Sequence, residues 1–284
     1  MTDLGSLIKY YRYHFYKNIG STTPPSPCKY YAGNDQCDRE DGCFCRKLAE
    51  VRGHIDYVIP LEYRDVDIES ATGFIKDKEG KPQRVWSSEN MSLIKSKLKD
   101  YIFGSNDISK AISRDDYNKA SKLDTRYADG DNLIIHGEIL RAKKEGLPSQ
   151  PIPTGKTLIS CIVLKEAIWR RMYITNRADT YALVSYQTLK QDLKLKTDKS
   201  FNLKECDWLV IDDINLPLHD NDFAHQNFLS LFDDFLMTRM EAKLPTILVC
   251  EFDALARDYT NILGYSFQKM VTARGTWLIE VGGK

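Results

Sequence analysis

The sequence has no long hydrophobic run, no excess of charge of either sign and no internal repeat. No apolar stretch approaches the roughly 20 residues of a membrane-spanning helix. The first residues, Met1-Thr2-Asp3-Leu4, lack the basic start and apolar stretch of a secretory signal. Lys and Arg number 40, as do Asp and Glu, so the net charge is +0 and any nucleic-acid binding must use a local patch. We therefore expect a cytoplasmic protein with no membrane partner.

The composition is that of a folded protein. Hydrophobic residues make up 42% and charged residues 28% of the 284 residues, values that exclude a disordered chain. This length suits one large domain, or a small domain followed by a medium one.

The most informative motif is Thr154-Gly155-Lys156-Thr157, which has the sequence of a phosphate-binding turn at the start of a helix. Backbone N–H groups in such a turn cradle phosphate oxygens, the lysine reaches the β- and γ-phosphates, and the threonine hydroxyl faces Mg²⁺. The candidate nucleotide-binding residues are Thr154, Gly155, Lys156, Thr157 and Leu158, together with Asp212. A chance turn at a helix start is the alternative interpretation.

A second motif, Leu209-Val210-Ile211-Asp212-Asp213, reads as a buried strand that ends in two carboxylates. P-loop NTPases hold their metal with an acid in this position. We predict that Asp212 and Thr157 hold Mg²⁺ and that Asp213 orients or deprotonates the attacking water, with Lys156 as a further catalytic residue. The alternative is a solvated strand end.

Apolar strands alternate with helices around these motifs, which predicts a three-layer α/β fold with a parallel sheet. Predicted strands cover residues 132–137, 180–185, 208–211, 245–250 and 277–281. Predicted helices cover residues 88–101, 156–172, 186–195 and 223–242.

The phosphate loop departs from the usual Gly-x4-Gly-Lys-Ser/Thr pattern, because Gln150 occupies the position of the first glycine. Residues Glu138 to Pro153 resemble an insertion between strand and turn. We predict an exposed loop, which is either a basic arm that contacts DNA or a plain surface insert.

Four of the seven cysteines, Cys28, Cys37, Cys43 and Cys45, lie close together near the N-terminus. Four thiolates suit tetrahedral Zn²⁺, and in a reducing compartment clustered cysteines bind metal more often than they form disulfides. Free thiols or an iron–sulfur cluster are the alternatives, and His54 is a substitute ligand or a surface residue.

Two other segments allow both a binding and a structural interpretation. The aromatic helix predicted from Leu4 to Lys17 suits a partner or stacked DNA bases, but also packing against the cysteine module. A basic stretch is a candidate DNA contact or a solvated helix face; it contains Lys190, Lys194, Lys196 and Lys199.

In its motifs the chain resembles the bacterial helicase loaders of the DnaC type and the related transposition helper ATPases of the IstB type, within the AAA+ group. The resemblance covers nearly the whole chain and depends on the order of its motifs. They are the cysteine cluster, Ile59-Pro60-Leu61-Glu62-Tyr63-Arg64-Asp65, Gly155-Lys156-Thr157, Leu183-Val184-Ser185 with Leu189 and Leu193, Leu209 to Ile214, and Arg239 with Lys243-Leu244-Pro245-Thr246-Ile247.

The resemblance implies a helical, zinc-binding N-terminal domain over residues 1–57 and an AAA+ ATPase domain without a helical lid over residues 58–284. Such proteins bind ATP and Mg²⁺, assemble side by side in a ring or spiral of six, contact single-stranded DNA and place a replicative ring helicase on it. The alternative is a transposition helper that selects target DNA and recruits a transposase.

Glu251 and Lys269 are further candidate catalytic residues, and both depart from the family pattern. Glu251 lies at the polar sensor position, which reads Cys250-Glu251-Phe252. Lys269 stands where an arginine would reach a neighbour's ATP, with Arg257 and Arg274 as alternatives. A lysine lacks the planar fork of arginine. We therefore expect slow ATP hydrolysis, or use of ATP as an assembly switch.

Overall fold

The computed structural model describes residues 44–64, 74–76, 82–84, 88–103, 131–137, 140–142, 150–152, 154–168, 171, 179–216 and 223–281. Nine strands lie among them: β1 Phe74–Lys76, β2 Pro82–Arg84, β3 Asn132–His136, β4 Leu140–Ala142, β5 Gln150–Ile152, β6 Tyr181–Ser185, β7 Trp208–Ile214, β8 Thr246–Cys250 and β9 Thr276–Glu280. The α-helices in these ranges are α1 Phe44–Val58, α2 Ser88–Phe103, α3 Lys156–Ile168, α4 Tyr186–Leu195, α5 Asp198–Glu205, α6 Phe223–Glu241, α7 Thr260–Leu263 and α8 Tyr265–Thr272.

Five strands form one parallel sheet in the order β6-β7-β8-β3-β9. Strands β3 and β8 are buried along their whole length, as expected for central strands covered on both faces. Because the strands are parallel, their carboxyl ends lie at one edge of the sheet. Ser185 pairs with Asp212, and His136 pairs with Glu280, near this edge.

Successive residues of each strand enter different hydrophobic clusters. In β3, Leu133 and Ile135 belong to a first cluster, and Ile134 belongs to a second. This alternation follows from the period of two in a strand. The sheet therefore has a core on each face, and the predicted three-layer α/β fold is confirmed.

Different helices cover the two faces. Helices α1, α2 and α3 supply the first cluster, and α4 to α8 supply the second. Helix α6 places Phe228, Phe232 and Phe235 in the second cluster, and each is at most 1% exposed. Burial of each phenyl ring contributes about 1.5–3 kcal/mol, so α6 is a main support of this face.

Most predicted elements in the described residues match the structure to within a few residues, but the helices α1, α5, α7 and α8 were not predicted. One expectation is corrected, because the predicted loop at 138–153 contains the antiparallel hairpin of β4 and β5. The motif at 59–65 contains a 3-10 helix, Leu61–Tyr63, in which the Tyr63 N–H donates to the Pro60 carbonyl over 3.0 Å.

The cysteine module lies almost entirely outside the described residues. Cys28, Cys37 and Cys43 fall there, as does the predicted helix from Leu4 to Lys17, and Cys45 is described in its backbone alone. Among the residues that are described, no three His, Cys, Asp or Glu side chains are grouped to hold a metal. The zinc site therefore stays a prediction from the sequence.

Helix α1 ends where the predicted domain boundary lies. Its Val51 and Ile55 join the first hydrophobic cluster together with α3, so the helix packs on the α/β core. The division into residues 1–57 and 58–284, and the absence of a helical lid, stay predictions. No helix in the described part of the chain is long and apolar enough to cross a membrane.

Candidate nucleotide-binding site

The phosphate-binding turn forms where the sequence predicts it. Gly155 has a φ of 81°, a left-handed conformation that glycine adopts without strain. Helix α3 begins at the next residue, and the Ile159 N–H already donates to the Gly155 carbonyl over 3.1 Å. The first N–H groups of a helix lack intrahelical acceptors and lie at the positive end of its dipole. The start of α3 therefore suits an anion.

Lys156 is the first residue of α3 and is only 1% exposed. Its Nζ donates to the Gly137 carbonyl oxygen over 2.8 Å and lies 2.9 Å from Glu251 Oε2. A buried ammonium group needs such partners because its desolvation is costly. The lysine thus joins the ends of β3 and β8 to the start of α3.

Thr157 and Asp212 form the second contact of the site. The Thr157 hydroxyl donates to Asp212 Oδ1 over 3.3 Å. Burial raises the pKa of Asp212, and this hydrogen bond opposes the rise. The two acidic neighbours, Asp213 and Glu251, raise it further, so the carboxylate lies where a cation would relieve negative charge.

The two side chains fit Mg²⁺ by their chemistry. A hydroxyl and a carboxylate are hard oxygen donors, and Mg²⁺ is commonly held by one or two carboxylates together with phosphates and waters. A divalent ion beside Asp212 would also offset the electrostatic cost of burying its charge. Thr157 and Asp212 are therefore the residues that would hold the metal.

Asp213 occupies an irregular place in β7. Pairing with β8 shifts register between Ile211 and Ile214, and Asp213 has a φ of 59°. A non-glycine residue in this region costs about 1–3 kcal/mol, and such strain clusters at functional sites. Asp213 is exposed, and its Oδ1 accepts a hydrogen bond from Asn215 Nδ2 over 2.8 Å.

Backbone hydrogen bonds hold the strand ends around the lysine. The Glu251 N–H donates to the Ile214 carbonyl over 2.9 Å, and the Gly137 N–H donates to the Phe252 carbonyl over 3.0 Å. Gly137 has a φ of 150°, and a Cβ there would meet the Val281 carbonyl oxygen at 2.0 Å. Only glycine fits, so its carbonyl position is set by the packing of β3 on the chain that follows β9.

A buried histidine beside the site was not predicted from the sequence. His136 is 2% exposed, its Nδ1 lies 3.3 Å from Asp253 Oδ1, and the Ala254 N–H donates to the same nitrogen over 3.4 Å. Burial lowers the pKa of His136, and Asp253 opposes the shift. The sequence could have indicated it, because His136 is the last residue of an apolar strand and directly precedes Gly137.

Four of the predicted site residues converge: Lys156, Thr157, Asp212 and Glu251. Leu158 is partly buried, and its side chain packs against the first hydrophobic cluster. Lys269 does not join them. It lies on α8, whose buried residues pack on the other face of the sheet. Its role toward a neighbouring subunit stays a prediction.

Arg239, which belongs to one of the motifs that resemble those of the helicase loaders, is fully buried. Its guanidinium donates to Thr246 Oγ1 and to four carbonyl oxygens at 2.7 to 3.2 Å; these belong to Leu203, Lys204, Cys206 and Pro245. Burial lowers the pKa of Arg239, and the neighbouring Cys206 opposes the shift. The arginine thus ties α5 and the start of β8 to α6 and is not part of the nucleotide site.

A third buried cation holds the segment that follows α1. Lys165 on α3 donates to the Arg64 carbonyl over 2.8 Å, which fixes the 3-10 helix Leu61–Tyr63 beside α3. Burial raises the pKa of Tyr63, and Cys161, Glu62 and Asp212 add to the rise. Asp212 acts on Tyr63 because this segment lies close to the acidic end of β7.

Comparison with solved structures finds chains of similar architecture. They include a candidate primosome component from Streptococcus pyogenes serotype M3, 14% identical, with 80% of this chain and 92% of that chain covered and a TM-score of 0.44. The DnaC helicase loader is 11% identical, with 78% and 99% covered and a TM-score of 0.46. DnaI is 16% identical, with 80% and 93% covered and a TM-score of 0.41.

Structural neighbours of this chain thus include the helicase loaders that its motifs resemble. No protein-family model matches the chain, and no curated protein matches it in sequence. At these TM-scores and identities the likeness carries no inference about activity. The function proposed for the chain depends on its own motifs and on the geometry of its site.

Proposed function

We propose that this protein binds ATP with Mg²⁺ at the start of α3 and acts as a helicase loader of the AAA+ group. The observation that carries the nucleotide part is the Thr157–Asp212 hydrogen bond of 3.3 Å beside the buried Lys156. A hydroxyl, a carboxylate and an ammonium group meet where a helix begins. Each is a group that the Mg²⁺ complex of a triphosphate requires.

Each residue then has a stated task. Backbone amides from Thr154 to Leu158 cradle phosphate oxygens, and Lys156 neutralises the β- and γ-phosphates. Thr157 and Asp212 would hold Mg²⁺, which when bound would supply positive charge beside the phosphates.

We expect hydrolysis to be slow. Asp213 is the candidate for orienting the attacking water, and it is a shorter acid than the glutamate commonly found in that role. Lys269 replaces a planar arginine fork with a point charge. ATP then serves chiefly to assemble subunits into a ring or spiral of six, and release follows turnover.

The loader assignment is supported by the order of motifs along the chain, from the cysteine cluster to the strand Thr246–Cys250. In this proposal the N-terminal domain, with Zn²⁺ held by Cys28, Cys37, Cys43 and Cys45, docks on a replicative hexameric helicase. The ATPase domain contacts single-stranded DNA. The task belongs to replication initiation.

Nucleotide binding is tested by titrating purified protein with ATP and Mg²⁺ in a calorimeter. Lys156→Ala should reduce affinity at least about a hundredfold, because each charge-assisted hydrogen bond to phosphate is worth about 1.5–3 kcal/mol. Lys199→Ala is the matched control, because Lys199 is 61% exposed. Equal affinity of Lys156→Ala and wild type would refute the proposal.

Partner choice is tested separately. The full chain is mixed with a hexameric replicative helicase or with a transposase, in the presence of ATP, and each complex is measured by size-exclusion chromatography with light scattering. We expect a complex with the helicase and preference for single-stranded over double-stranded DNA. A complex with the transposase and preference for duplex DNA would favour the transposition helper instead.

A further inference from the structure

The Lys156 ammonium group has two partners within the chain. It donates to the Gly137 carbonyl over 2.8 Å and lies 2.9 Å from Glu251 Oε2. An ammonium group has three N–H donors, so one donor is left for phosphate. A lysine that holds oxygens of both the β- and the γ-phosphate must therefore release one of its present partners.

Gly137 cannot be the partner that leaves. Its N–H donates to the Phe252 carbonyl over 3.0 Å, and its α-carbon packs so closely on Val281 that a Cβ would lie 2.0 Å from the carbonyl oxygen. It also directly follows β3, which lies between β8 and β9 in the sheet. Moving its carbonyl would disturb three strand ends together.

Glu251 can leave. Its side chain is 20% exposed and ends in rotatable bonds, whereas its backbone N–H stays fixed on the Ile214 carbonyl at 2.9 Å. A rotation of the side chain alone would therefore free the ammonium group. A carboxylate and a phosphate carry charge of the same sign and accept the same N–H donors, so each disfavours the other at Lys156.

Building on the proposed nucleotide site, we infer that Glu251 takes the place of a phosphate on Lys156 and gates the site against nucleotide. The carboxylate compensates the buried ammonium group before nucleotide binds, when an unpaired charge would be costly. The triphosphate must displace it, and this displacement lowers the affinity. Glu251 therefore sets nucleotide affinity and does not act as the base of the chemical step.

The test compares Glu251→Gln with wild type by calorimetric titration with ATP and with ADP, each with Mg²⁺. Glutamine keeps the shape and removes the competing charge, so we expect affinity to rise about tenfold or more (about 1.4 kcal/mol). Glu280→Gln is the matched control, because it removes the same charge from the end of β9, two strands away from β8, where the side chain is exposed. That variant should bind as wild type does.

Melting curves provide a second measurement that does not depend on activity. Without nucleotide, Glu251→Gln should melt below wild type, because Lys156 loses its counter-charge. Saturating ATP should raise its melting temperature by more than it raises that of wild type. Glu251→Asp keeps the charge but draws it back from the ammonium group. Its affinity for ATP should therefore lie between the affinities of wild type and the glutamine variant.

The outcomes separate this inference from the proposed function. If wild type binds ATP and Glu251→Gln binds no more tightly, the gate is refuted and the nucleotide site stands. If the variant keeps wild-type affinity but loses turnover, Glu251 is a catalytic base and the gate is again refuted. If neither protein binds nucleotide, both proposals fail. Detectable binding by the variant alone would support both.

Discussion

The Thr157 hydroxyl donates to Asp212 Oδ1 over 3.3 Å, across 55 residues of sequence. This contact joins the first turn of α3 to the acidic end of β7. Both segments are held by extensive burial, since α3 is buried over most of its length and Leu209 to Ile211 are fully buried. The geometry of the candidate metal site is therefore set by the core and not by a surface loop.

The first prediction concerns the hydroxyl of Thr157. Thr157→Ala should remove the increase in ATP affinity that Mg²⁺ provides, a loss of at least about tenfold, because one oxygen donor is gone. Thr157→Ser keeps the hydroxyl and should retain most of that increase. Affinity is measured with and without Mg²⁺. An alanine variant with an unchanged response to the metal would show that Thr157 is not a ligand.

The second prediction concerns the charge of Asp212. Because burial raises its pKa above the ordinary value of 3.8, the folded protein binds a proton more readily than the unfolded chain does in the interval above that value. The contribution of Asp212 to the free energy of unfolding therefore falls as pH rises through this interval. At pH 7 the destabilisation by the buried charge is complete. Asp212→Asn should raise the melting temperature at pH 7.

This gain should shrink as pH falls toward 4, and it should be accompanied by loss of Mg²⁺-dependent ATP binding. Melting curves at pH 7 and pH 5, compared with those of Asp234→Asn, check the claim. Asp234 is a suitable control because its side chain is 71% exposed and pairs with Lys204 at the surface. A melting temperature of Asp212→Asn below that of wild type at pH 7 would contradict the predicted stabilisation.

The third prediction concerns Gly137. A Cβ at this position would lie 2.0 Å from the Val281 carbonyl oxygen, so Gly137→Ala should cost more than about 3 kcal/mol of unfolding free energy. Gly53 is the control. It lies in α1, where an added Cβ would have no atom within 4 Å, and Gly53→Ala should stabilise by about 0.5–1 kcal/mol. Urea denaturation measures the free energy of unfolding of both variants. A similar loss of stability in the two would contradict the close packing of Gly137 on Val281.

The fourth prediction concerns Arg239. Lysine has three donors from a single atom and cannot serve the five oxygens that the guanidinium now reaches. Arg239→Lys should therefore destabilise the protein by roughly 3 kcal/mol, because buried carbonyl oxygens lose their donors. Arg257→Lys should change stability by less than about 0.5 kcal/mol, since Arg257 is exposed. Chemical denaturation measures both, and a neutral Arg239→Lys would refute the clamp.

The fifth prediction concerns His136 and pH. Burial lowers its pKa below the ordinary value of 6.5, so the unfolded chain binds a proton more readily than the folded protein below that value. Stability from this group is complete above pH 6.5 and is lost as pH falls below it. The groups that face it are Asp253, Glu280, Lys97 and Lys156. His136→Asn should reduce the loss of stability between pH 7 and pH 5, measured by urea denaturation at each pH, and an unchanged pH profile would contradict this.

Much of the α/β core was predictable from local patterns. The strand Asn132–His136, the helix Tyr186–Leu195 and the helix Phe223–Glu241 follow from apolar periodicity and from caps such as Ser185, whose side chain accepts from the Thr188 N–H. Helix α5 escaped because only Ser200 and Leu203 are buried in it, so its apolar signal is weak.

The candidate site was predictable in its members but not in its contacts. Gly155-Lys156-Thr157 and Asp212-Asp213 carry recognisable motifs, whereas the ion pair of Lys156 with Glu251 joins residues on α3 and on the chain after β8. Pattern and propensity act over a few residues. They do not determine which partner a buried ammonium group finds across the sheet.

From the amino-acid sequence alone, the parallel three-layer architecture and the place of the phosphate-binding turn follow, because hydrophobic period and glycine conformation are local properties. Tertiary structure alone decided that Glu251 neutralises Lys156, that Gly137 must lack a side chain, and that Arg239 is a buried clamp. These depend on parallel packing, which brings the ends of distant strands to one edge. Burial there makes each charge depend on the few partners within reach.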